Sequence, residues 1–280
     1  MKKSLFLSVF AGLISLANVA SARDILNPGG IRTQIYSFSN KSFEGADREL
    51  RSMPNINGIN NNGPLNVIYI ESDKSEVYIE GDRNLFCRVQ TEYKNGIVSI
   101  SLDPGTYRNL WLQVVVYAPK MNILKSTGSG NIKAEKVSAN AGEASVKVTG
   151  SAIIAIGELQ CTSDLDLHIS GSGDIRIENM TCRELDVNVT GSGDVLANGT
   201  TSCTELDCHI AGSGGTKFAN VKGTSAELAV TGSGAIKITD GTFETIKARI
   251  TGSGDISGDV KCPAIDRKTA GSGAIRLNAK

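Results

Sequence analysis

The chain has 280 residues, with 29 Lys and Arg balancing 29 Asp and Glu, 31 glycines, six prolines and six cysteines. A balanced charge with no basic stripe argues against nucleic acid as a partner. Many glycines beside few prolines describe a turn-rich chain rather than a disordered one.

Residues 1–22 read as a secretory signal. Lys2 and Lys3 form a basic start, Leu5 to Val19 a mostly apolar run, and Ala20-Ser21-Ala22 a small-residue cleavage site. The run is short and holds Ser8, Ser15 and Asn18, so a membrane anchor is the weaker reading. No later stretch is long and apolar enough to span a bilayer. The expected product is exported to the periplasm, the outer surface or the medium. It has 280 − 22 = 258 residues, and 29 − 2 = 27 basic against 29 acidic groups leave a net charge of −2.

Residues 23–60 are expected to form an N-terminal segment or cap. Residues 61–280 are expected to form a single β-helix domain, irregular over 61–126 and regular over 127–280. Twelve aromatic residues follow position 22, and ten of them lie between Tyr36 and Tyr117. The run from Leu110 to Ala118 alternates with period two. With Leu110, Leu112, Val114 and Val116 turned inward, Trp111, Gln113, Val115 and Tyr117 share the other face. An aromatic face with polar neighbours suits sugar stacking or a protein interface. Trp111, Gln113 and Tyr117 are therefore candidate binding residues, the alternative being packing against segment 23–60.

From Thr127 onward eight near-identical turns recur, Thr127-Gly-Ser-Gly130 being the first and Ala270-Gly-Ser-Gly273 the last. Their first glycines are 19 to 22 residues apart. A fixed period of this length marks stacked repeats, each burying its apolar face against its neighbours. Each turn is preceded by an alternating run such as Leu185/Val187/Val189, and most are followed by another such as Ile175/Ile177. Two short alternating runs per coil predict an all-β fold, a parallel β-helix of about eight regular coils. Glycine suits the corners because they demand positive φ or close backbone approach. The recurrent serine is expected to bond the turn backbone through its hydroxyl. Ala152, in place of a glycine, marks a slightly different corner.

The turns carry no phosphate-loop lysine or helix start. An acidic residue follows only three of them, at Asp174, Asp194 and Asp255, which is too few for an obligate calcium repeat. No cofactor, metal or catalytic constellation is implied. Cys161, Cys182 and Cys203 recur 21 residues apart, with Cys262 at the equivalent place of a later coil, and read as a buried column. No Cys-x-x-Cys supports zinc or redox chemistry. His168 and His209 fall on one outward column two coils apart, too far to share a metal ion. The outward column Asp166, Asp186, Asp207 is a second candidate binding surface, with His168, Asn188 and His209 as neighbours and no strong base beside it. Its alternative is a solvated face that blocks lateral pairing.

A resemblance follows from motifs in order: Val67-Ile-Tyr-Ile70, Val77-Tyr-Ile-Glu-Gly81, Asn84-Leu85, Gly96-Ile-Val-Ser-Ile100, Val114 to Pro119, and Thr127-Gly-Ser-Gly-Asn-Ile132. Over roughly residues 40–280 the chain resembles the bacterial head GIN domain family of autotransporter adhesins. The resemblance implies a right-handed β-helix related in shape to pectin lyases, without a catalytic set, and a role in adhesion. The expected function is a non-enzymatic, exported β-helix whose partner is a cell-surface or extracellular glycan or protein. The rival readings are a polysaccharide lyase or hydrolase and a ligand-free envelope spacer. The C-terminal coil is expected to be covered by a partner chain, as in a homo-oligomer, or by a very short cap.

Overall fold

The computed structural model describes residues 43–279. The signal reading over 1–22, and segment 23–60 as far as residue 42, lie outside them. Gly45 onward forms one compact unit. Strand β1 (Asp47–Ser52), within the expected N-terminal segment, and β2 (Gly58–Asn61), which straddles its boundary, already belong to its sheets.

Period-two alternation becomes two facing sheets, of twelve and eleven strands. Each regular coil gives one strand to each sheet, from β8 (Ile123–Gly128) and β9 (Ile132–Ser138) to the final pair, Ala264–Gly271 and Ala274–Ala279. Neighbouring coils pair in parallel and in register. Val187 sits between Leu167 and Cys208, and Asp186 between Asp166 and Asp207. The inward members Leu167, Val187, Cys208, Leu228 and Ala248 are each wholly buried, so the core is a stack of like positions between the sheets. Bulges absorb the variable period: Gly199 is an extra residue where the register shifts between Ala197 and Thr200.

The corners explain the turn sequence. Gly191 has φ +117°, and a Cβ there would lie 2.4 Å from the carbonyl oxygen of Gly171 in the preceding coil. That carbonyl accepts from the N–H groups of Ser192 (2.9 Å) and Gly193 (3.1 Å), and Gly191 in turn accepts from Ser213 and Gly214. Contrary to expectation, in six of the eight turns the serine bonds the preceding coil through its main-chain N–H rather than its hydroxyl.

The N-terminal coils are stacked out of chain order. β2 lies between β6 (Ile97–Leu102) and β8, while β3 (Asn66–Glu71) lies between β7 (Leu112–Ala118) and β9. The coil made first in sequence is thus inserted between two made later. Beyond it, β4 (Glu76–Gly81) and β5 (Val89–Lys94) pair antiparallel with β7 and β6, and β1 pairs antiparallel with β4. A short 3₁₀ helix, Arg83–Arg88, buries Phe86 between them. Arg51 ties the two sheets at this end by donating to the carbonyls of Phe86 and Val89 and to Thr91 Oγ1. At the other end Arg267 occupies an inward position, below Ala248, and donates to the carbonyl of Leu277 across the last coil at 2.8 Å. Inward charge on an edge strand disfavours further strand addition.

Gly142 has φ +123°, but a Cβ there would meet no atom within 4 Å. Gly142→Ala is expected to cost about 1 kcal/mol from backbone strain alone, and Gly191→Ala about 3 kcal/mol because the methyl also meets a carbonyl. Urea unfolding midpoints of the two variants would check the order.

Candidate functional site

Two outward surfaces result from this register. The first is built on β1, β4 and β7. Antiparallel pairing sets Tyr78 opposite Val115, Glu80 opposite Gln113 and Glu76 opposite Tyr117, while β1 brings Arg48 opposite Glu80 and Leu50 opposite Tyr78. Gln113 Nε2 donates to Glu80 Oε2 at 2.6 Å, and Arg48 pairs with Glu80 at 2.7 Å. The Arg48 guanidinium lies 4.2 Å from the centre of the Tyr78 ring, within cation–π range. Tyr78 and Tyr117 meet edge to face, with centroids 5.8 Å apart and planes at 84°. The Tyr78 hydroxyl donates to Glu76 at 3.1 Å. Desolvation first, then Glu76, pushes the Tyr78 phenol upward, with Arg48 opposing.

Of the residues singled out from sequence, Gln113 and Tyr117 enter this cluster. Trp111 precedes β7, is half-buried, and accepts from the Asp82 N–H through its carbonyl. Val115 shares their outward parity but is 4% exposed, which corrects its place on an open face. Arg48, Leu50, Tyr78 and Glu80 were missed. Their signal was the alternation of Val77-Tyr-Ile-Glu-Gly81, which sets Tyr78 and Glu80 on one side. Leu50, at 47% exposure, leaves an apolar side chain open beside the rings. Of the described part of segment 23–60, β1 borders the aromatic face as an edge strand.

The second surface is the acidic column. The register stacks Asp166, Asp186, Asp207 and Glu227 in successive coils. Strong bases do lie beside it, contrary to expectation: Lys147 reaches Asp166 at 2.7 Å, and Arg183 bridges Asp164 and Glu184. His209 Nε2 meets Asp207 Oδ1 at 2.9 Å. Asp186 sits between two like charges. Burial, then Asp207 and Asp166, raises its carboxyl above the ordinary value. Among the described residues no three His, Cys, Asp or Glu side chains converge for a metal ion, and no helix is long and apolar enough to cross a membrane.

The family described as putative auto-transporter adhesin, head GIN domain, matches residues 55–257, from just before β2 into the penultimate coil. The chain belongs to this family. No curated protein matches it. Among solved structures it is similar to a putative adhesin of Parabacteroides merdae, at 20% identity and a TM-score of 0.73, covering 83% of this chain and 95% of the other. A putative lipid binding protein of Parabacteroides distasonis gives 22%, 0.72, 83% and 96%. A putative adhesin of Bacteroides fragilis gives 23%, 0.56, 85% and 98%. At such identities the likeness is one of fold.

A raised carboxyl makes a definite pH prediction. Asp186 binds its proton more tightly folded than unfolded, so its stabilising contribution is complete below the unfolded value of 3.8 and is lost as pH rises through the folded one. At neutral pH the ionised group is a liability. Asp186→Asn is expected to add about 0.5 kcal/mol near pH 7, the scale of a like-charge cross-strand pair. That gain vanishes below about pH 3. Urea unfolding at both pH values would measure it.

Proposed function

We propose that the protein is an exported, non-enzymatic β-helix that presents a binding surface at the cell envelope and adheres there to a glycan or protein. The supporting observation is the fixed cluster of Arg48, Tyr78, Glu80, Gln113 and Tyr117. Two aromatic rings and an arginine are held by ion pair, hydrogen bond and ring contact beside the exposed Leu50. Side chains ordered before binding lose little entropy on it. Tyr and Arg are also the residues that most often dominate binding energy. We assign Trp111, Gln113 and Tyr117 to this surface. The family's adhesin description accords with a surface or exported location.

Asp166, Asp186 and Asp207 form a second outward face, in which Lys147 pairs with Asp166 and the His209 ring contacts Asp207. The contacts to Asp166 and Asp207 leave Asp186 as the one carboxyl of the stack with a raised value, where a paired-carboxylate glycosidase needs two acids. We place binding on the aromatic face rather than in a homo-oligomeric contact.

The test is an array of glycans and matrix proteins. Saturable binding is expected, weakened about tenfold or more by Tyr117→Ala or Trp111→Ala and unchanged by the pair Asp186→Ala and Asp207→Ala. Cleavage of an acidic glycan that is lost in the aspartate pair would overturn the non-enzymatic reading. Absence of any binding would favour the spacer.

A further inference from the structure

The corner that leads into each strand of the eleven-stranded sheet is a hydrogen-bonded ladder of its own. Ala139 donates to the carbonyl of Gln160, Cys161 to Thr181, Cys182 to Ser202, Cys203 to Lys222, Gly223 to Thr242 and Phe243 to Lys261, all at 2.8–3.0 Å. Three successive steps of this ladder are cysteine. All three are free thiols and buried, at 5%, 7% and 8% exposure. The column is closed at one side by Ala139. At the other the Phe243 ring enters the space of the absent side chain at Gly223, where a Cβ would lie 2.9 Å from it. Cys262 lies beyond that ring, alone.

Main-chain bonds in register hold such neighbours at the ordinary strand separation of about 4.8 Å. Two metal–sulfur bonds of about 2.3 Å set end to end span about 4.6 Å. We infer that adjacent thiols of the Cys161–Cys182–Cys203 column bind a soft, thiophilic divalent cation in linear two-coordinate fashion, with Cys182 as the obligatory ligand and either neighbour as the second.

The balance is simple: two thiols and M²⁺ give a neutral S–M–S unit, and two protons leave to solvent. No electron moves. Neutrality is what the surroundings demand, since the corner is buried and the carboxylate that acts on Cys182, Asp164, already pairs with Arg183. A monovalent ion would leave a buried negative charge there, which is costly. Soft thiolate donors select such ions over harder ones. In the resting column burial first, and then Cys203 and Cys161 themselves, push the Cys182 thiol up to about 12, so it stays protonated until a metal displaces the proton.

The test uses the full chain with Cys87→Ser, which removes the exposed thiol. The reduced protein receives Hg(II) and then excess glutathione, and native mass and near-ultraviolet sulfur-to-metal absorption are read. Retention of a single mercury per chain is expected, preserved in Cys161→Ala and in Cys203→Ala but lost in Cys182→Ala. The double variant Cys161→Ala/Cys203→Ala should also lose it, and answers the question if Cys182→Ala fails to fold by circular dichroism. Glutathione-resistant mercury in the Cys182 variant, or none in the parent, would overturn the inference. So would a parent two hydrogens lighter with Cys182 already in a disulfide.

Discussion

Everything in this molecule depends on one constraint: each strand must hydrogen-bond to the coil before it and the coil after it at a single spacing. Like positions are then forced into columns, and every column must tolerate its own repetition. Apolar columns do so by packing. Corner glycines do so by letting one carbonyl accept two N–H groups from the next coil, a geometry in which the Gly191 position leaves no space for a methyl. Acidic columns tolerate it least. The Asp166–Asp186–Asp207 stack is eased at one flank by Lys147, while Asp186 keeps a raised carboxyl.

The repetition is also why so much is legible in the sequence. Period, alternation and corner glycines are local signals, and they mark out the regular coils, the inward residues and the thiol column. Pairing between distant segments carries no such signal. Gln113 and Glu80 are 33 residues apart in the chain and meet only because β4 turns back antiparallel to β7. Arg48 reaches Tyr78 through yet another strand. Lys147 escapes notice beside Asp166 when only like columns are compared, because the two meet on a diagonal step between neighbouring ones. The serine of the turns misleads because its side chain is visible in a sequence, whereas the carbonyl that its N–H reaches in six of them belongs to another coil.

The two outward surfaces differ in how their side chains are held. On the acidic face charges repel, so its geometry answers to pH and salt. On the aromatic face each group fixes the next: Glu80 holds both Gln113 and Arg48, Arg48 lies over Tyr78, and Tyr78 meets Tyr117. Such a chain of contacts keeps its shape without a ligand. It arises where the solenoid abandons parallel stacking, because antiparallel strands bring unlike residues side by side.

The out-of-order N-terminal coil has a mechanical consequence. Parallel edge strands peel away one hydrogen bond at a time when pulled from an end. β2 and β3 have no free edge, since each is bonded on both sides to strands that come later in the chain. Tension applied through the segment before β1 would strip that antiparallel edge first and then meet a clasp. To go further it must shear two rows of bonds at once in each sheet. Load entering at that end thus falls on β1, and on the Arg48 and Leu50 it contributes to the aromatic face, before it reaches the clasp of β2 and β3.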